Sequence, residues 1–158
     1  MDELEFDDFY QASFPRLVGQ LSAMTGSLAE AQDCVQEAFV RAWLHRSSLS
    51  TVGSPDAWVR TVAWRLAVSR WRRAKQALGF QHRTAAPQDV AGPNLDRPAL
   101  VVALAQIPAD QRRAIVLHHL CDLSVADVAA ETGVPVGTVK ARLSRGRAAL
   151  ASLLTDHS

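Results

Sequence analysis

The stretch Thr138 to Arg147, TVKARLSRGR, mixes cations, hydroxyls and small side chains, and no acid occurs from Val134 to Thr155. Wound as a helix, it places Val139, Leu143, Gly146 and Leu150 on one side. Thr138, Ala141, Ser144 and Arg145 face the other way, with Lys140 and Arg142 flanking them and Arg147 farther round. The chemistry this suits is duplex reading. Lys and Arg donate to phosphates and to the guanine edge, while small residues let the helix approach bases in a groove about 12 Å wide. Which of Lys140, Arg142 and Arg145 touch bases stays open at this level.

The elements that must hold this helix are legible around it. In LSVADVAAETGVPVGTVK (123–140), Ser124 is placed to cap a first helix carrying Val128, Ala129 and Thr132, and Gly133 supplies the left-handed residue that ends it. Val134 fills the angle between helices, and Pro135 sets the start of the second helix near Gly137. An amphipathic helix pair with a basic solvent face is the plainer reading, but it leaves the cap, the glycine turn and the acid-free outer face unaccounted for. Two preceding helices, near 97–106 and 109–120, supply Leu100, Val101, Leu104, Ile107, Ile115, Val116 and Leu120 to a small core. The expected unit is a four-helix domain over 97–158.

A second candidate surface lies on a helix predicted over 55–75, with Pro55 near its first position. Trp58, Val59, Val62, Leu66 and Ser69 are its natural core contacts, and Arg60, Trp64, Trp71 and Lys75 fall in a narrow arc opposite. Exposed tryptophans flanked by cations stack bases and neutralise phosphates. Packing of Trp64 and Trp71 on a neighbouring helix is an equal alternative.

Ahead of it, a segment near 7–24 carries Phe9, Phe14, Leu17, Val18 and Leu21, with Pro15 marking a break or restart. Ser27 and Glu30 have capping-box spacing, and a long helix to about Leu44 follows. Its buried stripe is Leu28, Ala31, Val35, Ala38, Phe39 and Ala42. Asp33, Glu37 and Arg41 share another face with Gln36. By spacing alone that face reads as a solvated stripe; a docking face for a basic partner is the alternative. Residues 45–54 (HRSSLSTVGS) read as a loop.

The two helical blocks, 1–75 and 97–158, are separated by linker chemistry at 76–96, where Gly79, Pro87, Gly92 and Pro93 interrupt any period. As flexible coil this spans about 25 Å on average and about 70 Å extended. The fold class is therefore all-α, two small helical domains on a flexible linker. A composition of 48% hydrophobic and 6% aromatic residues suits ordinary cores. The net charge of +1 conceals segregation: residues 1–56 hold nine acids and three bases, whereas 57–83 hold seven bases, Arg60, Arg65, Arg70, Arg72, Arg73, Lys75 and Arg83, and no acid. Such a split suggests separate partners for separate surfaces.

Several classes are disfavoured. The apolar stretches are shorter than a membrane span and the start, MDELEFDDFY, is acidic, so no membrane insertion and a cytoplasmic location are expected. No glycine-rich phosphate loop, HExxH or nucleophile-base arrangement appears, so neither enzyme chemistry nor a cofactor is expected. Cys34 and Cys121 fall in helical patterns and read as small buried hydrophobes. His118 and His119 point about 100° apart on a helix, which argues against a zinc site with Cys121.

AEAQDCVQEAFVRAW (29–43), PDAWVRTVAWRLAVSRWRR (55–73) and IPADQRRAIVLHHLCDLSVADVAAETGVPVGTVKARLSRGRAAL (107–150), in this order, resemble the polymerase-binding helix, promoter-melting helix and region 4 of extracytoplasmic-function (ECF) sigma factors. The resemblance implies an alternative sigma factor that binds core RNA polymerase, recognises and melts promoter DNA, and is controlled by an anti-sigma factor. It implies that Asp33, Gln36, Glu37 and Phe39 meet the polymerase, reversing the solvated reading of that face. It also implies that the loop with Ser48 captures an unstacked base of the minus-10 element, beside Arg60, Trp64, Arg65, Arg72 and Arg73. Lys140, Ala141, Ser144 and Arg145, with Thr138 and Arg142 next to them, would approach the minus-35 element. Arg65 and Ser69 stand where the family often has Asn and Asp, and Trp64 and Trp71 replace more usual basic or aliphatic residues. A polymerase-independent helix-turn-helix regulator is the alternative.

Overall fold

A computed structural model describes residues 1–51, 53–78 and 98–155, and every regular element among them is helical. Helix α1 (Glu3–Thr25) starts where the Asp2 carboxylate accepts from the Glu5 amide at 2.8 Å and stops at Gly26, whose φ of 81° only glycine adopts without strain. It begins earlier than the sequence suggested and runs through Pro15 unbroken. Pro15 and Gln11, whose carbonyl the missing N–H would have served, both lie on the exposed side, and apolar residues on either flank anchor the helix.

Helix α2 (Leu28–Leu44) is capped by Ser27 Oγ, which accepts from the Glu30 amide at 3.2 Å. The reciprocal bond is not made: the Ser27 amide donates instead to Thr25 Oγ1 at 3.3 Å, and Glu30 lies 3.7 Å from Arg70. The segment expected as loop contains a helical turn, α3 (Arg46–Leu49), since Leu49 is buried and Arg46 stacks 3.8 Å from the Trp43 ring. Helix α4 (Pro55–Leu78) outlasts the expected boundary at 75. Residues 79–96 of the expected linker lie outside the described residues.

α1, α2 and α4 pack around Leu17, Leu21, Met24, Val35, Ala38, Val59 and Ala63. Each such leucine stabilises the fold by roughly 2 to 3 kcal/mol relative to exposure. Ser69, expected among these contacts, is exposed, whereas Arg60, Ala63 and Ala67 are buried.

The second unit comprises α5 (Pro98–Gln106), α6 (Ala109–Ile115), α7 (Val125–Thr132) and α8 (Val136–Thr155). α6 does not continue to 120 as an α-helix; Val116–Leu120 widens into a π-helical turn, and Asp122 follows at φ 62°. Leu117, Val128, Val139 and Leu143 form the centre of this unit. α1 also touches α5, α6 and the π turn, so the two cores join into one buried cluster.

Candidate nucleic-acid interface

Ser124 Oγ accepts from the Asp127 amide at 3.0 Å and starts α7, and Gly133, at φ 74°, closes it by donating its N–H to the Ala129 carbonyl at 2.9 Å. The Pro135 carbonyl then accepts from Thr138 at 3.0 Å and Val139 at 3.1 Å, so α8 starts at Val136, one residue before Gly137. Val139, Leu143, Gly146 and Leu150 are all buried, as their spacing requires. Lys140, Ser144 and Arg145 are exposed, and Thr138 and Ala141 are half-buried beside them. Arg142 leans back to Asp110 at 3.5 Å, and Arg147 lies 3.4 Å from His119. The outer face thus offers unpaired donors from Lys140 and Arg145 over a small-residue floor, which is a shape a major groove can receive.

The arc on α4 divides in two. Trp71 is 57% exposed with Lys75 Nζ 4.9 Å from its ring, and Arg65, Arg72 and Arg73 are exposed nearby. Arg60, read from sequence as part of the exposed row, is buried: its guanidinium meets Glu131 of α7 at 2.7 and 2.8 Å and Gln20 at 3.1 Å. Burial works to lower the Arg60 pKa, but the Glu131 hydrogen bonds and charge overcome it and raise it. Trp64 is half-buried, with the Arg113 guanidinium 4.9 Å from its ring. Burial pushes the Arg113 pKa down to about 10. Trp64 therefore packs on a neighbouring helix, whereas Trp71 stays exposed.

On α2, Asp33 and Gln36 are exposed and Glu37, paired with Arg41 at 3.3 Å, is half-exposed. Phe39 is not on that surface. It is 2% exposed, in an aromatic cluster with Phe6, Phe9, Tyr10 and Phe14. It supports the outer face from below. Two residues missed in the sequence reading lie on that face: Val40 at 53% and Leu44 at 71% exposure, one turn apart among the polar groups. Their i, i+4 spacing off the buried stripe was the available signal.

Between α2 and α4 a cleft of about 400 Å³ is lined by Glu37, Arg41, Arg65, Ser69 and Arg73. Ser48 is exposed on α3. Cys34 and Cys121 are held mainly by burial at pKa values of about 11 and about 12. His118 Nδ1 lies 2.7 Å from the Leu123 carbonyl, and no group of His, Cys, Asp or Glu among the described residues could hold a metal ion. No described helix is long and apolar enough to cross a membrane.

Residues 4–77 match the Sigma-70 region 2 family and residues 97–150 match Sigma-70, region 4. The ECF RNA polymerase sigma factor SigW of Bacillus subtilis is 32% identical over 84% of this chain and 80% of its own length. SigM of Mycobacterium tuberculosis is 34% identical over 97% of this chain and 79% of its own. Among solved structures, the sigma factor RpoE of Bartonella quintana, in complex with the anti-sigma factor NepR, superposes with a TM-score of 0.80 at 28% identity, covering 96% of this chain and 97% of that one. With both regions matched in order and relatives above 30% identity spanning most of their length, the chain belongs to the ECF RNA polymerase sigma factors.

Proposed function

We propose that this sigma factor divides its work among three surfaces. The outer face of α2, with Asp33, Gln36 and Glu37 around Val40 and Leu44, docks on core RNA polymerase. Apolar centres ringed by charge are the anatomy of protein interfaces. Phe39 props that face from inside. The cationic end of α4, with Arg65, Trp71, Arg72, Arg73 and Lys75, together with α3 and Ser48, holds melted minus-10 DNA; Arg60 and Trp64 join it when α4 is free of the second unit. Thr138, Lys140, Ala141, Arg142, Ser144 and Arg145 of α8 read the minus-35 duplex. Catalysis belongs to the polymerase, and the site of action is the cytoplasm. An anti-sigma partner is supported by the relative RpoE, which was solved with one bound.

The observation that carries this reading is the sorting of α8: its inner residues are all buried while Lys140, Ser144 and Arg145 stand exposed. Replacing Lys140, Arg142 and Arg145 by Ala is expected to weaken minus-35 duplex binding and to lower the log-log salt slope by about 0.9 for each phosphate no longer neutralised. The variant should still co-elute with core polymerase. An unchanged slope refutes the assignment of α8. Tight duplex binding by a dimer that ignores polymerase supports the regulator instead.

A further inference from the structure

Arg60 and Glu131 are 71 residues apart, on α4 and α7, and both side chains are only 4% exposed. They form a two-bond pair, Nε to Oε2 at 2.8 Å and Nη2 to Oε1 at 2.7 Å, and Arg60 Nη1 donates to Gln20 Oε1 at 3.1 Å. Around it, Arg113 of α6 lies 4.9 Å from the Trp64 ring, and Arg112 Nη1 donates to the Met24 carbonyl at 2.9 Å. The polar contacts between the units thus come from arginines. A buried ion pair contributes little net stability over well-packed apolar residues, but it fixes one geometry and fails sharply when one member is removed.

That geometry limits what the chain can reach. Glu131 lies next to the last residue of α7, and the stretch from there to Val136 spans at most about 18 Å, with about 14 Å more along α8 to Arg145. Arg73 lies about 20 Å along α4 from Arg60. The minus-10 and minus-35 elements are roughly 85 Å apart on a duplex rising about 3.4 Å per base pair. While Arg60 holds Glu131, α4 and α8 cannot lie on both.

We propose that the Arg60–Glu131 pair is an intramolecular latch that holds the free chain shut. The consequence for initiation rests on the sigma reading; the latch itself does not. It is tested by small-angle scattering on the full chain without polymerase. The parent is expected near the roughly 15 Å radius of gyration of a compact chain of this size. Glu131→Gln strands Arg60 in the shut form and should move the shut-to-open ratio at least about tenfold toward open, with a larger radius and unchanged helical signal. Arg60→Gln, on the other unit, should open the chain in the same way should Glu131→Gln lose helix. The exchange Arg60→Glu with Glu131→Arg should close it again. Compact single variants, or an exchange variant as open as the singles, overturn the latch. A compact Glu131→Gln chain that initiates normally with core polymerase sinks the latch alone, whereas an opening chain that never binds core sinks the sigma reading alone.

Discussion

α8 can seat against α6 because position 146 has no side chain. A Cβ there would stand 3.1 Å from Ile115 Cγ1, 3.2 Å from Ile115 Cδ1 and 3.5 Å from Gln111 Cβ. Carbon atoms prefer about 3.5 to 4.0 Å, and Ile115 is buried at 7% exposure and β-branched, so it yields little. For Gly146→Ala, the gain of about 1 kcal/mol in helix propensity offsets a strain of similar size. For Gly146→Val, the propensity gain shrinks to about 0.4 kcal/mol while two more methyl groups enter the same gap, where overpacking costs about 1 to 3 kcal/mol. The helix relieves this by lifting off α6, which carries Lys140 to Arg145 with it. Urea unfolding followed by circular dichroism, with fluorescence anisotropy on a minus-35 duplex, reads both effects. Ala should fall within about 0.5 kcal/mol of the parent, and Val should lose about 1 to 2.5 kcal/mol and bind the duplex several-fold more weakly. A Val variant as stable and as tight-binding as the parent refutes the seating of α8 on Ile115.

Other outcomes follow from single contacts. Arg112 donates to the Leu104, Ile107 and Met24 carbonyls at 2.7, 2.9 and 2.9 Å, so Arg112→Met should cost about 3 kcal/mol in urea unfolding. At pH 8, Cys34 and Cys121, raised from 9.0 to about 11 and about 12, hold little thiolate. Alkylation of the native chain should run at least about a hundredfold slower than of the unfolded chain, and mass spectrometry of quenched samples reads this. Val40→Ser with Leu44→Ser should weaken co-elution with core polymerase at unchanged thermal stability, because both side chains are exposed; equal co-elution would remove α2 as the docking face.

How far the sequence could be read depended on whether the determinant was local. The inner face of α8 and the Gly133 turn were legible because period and backbone strain act within a few residues. The same periodicity put Phe39 in the buried stripe, and that reading, rather than the surface role the resemblance implied, matches its burial. Arg60 shows the limit. Its arc on α4 follows from spacing, but what packs against the arc is Glu131, from the other unit, and no window of neighbours reveals that. Likewise α3 forms because Leu49 finds a core to enter, and Pro15 is tolerated because it faces outward.

The most direct measurement is run-off transcription from a promoter fragment with purified core polymerase, with and without the full chain. Discrete transcripts are expected only when the chain is present, reduced at least about tenfold when Lys140, Arg142 and Arg145 are all Ala, since each base or phosphate left without its cationic donor weakens promoter binding. Transcripts absent with the parent chain in stoichiometric complex with core, or undiminished with the triple variant, would contradict it.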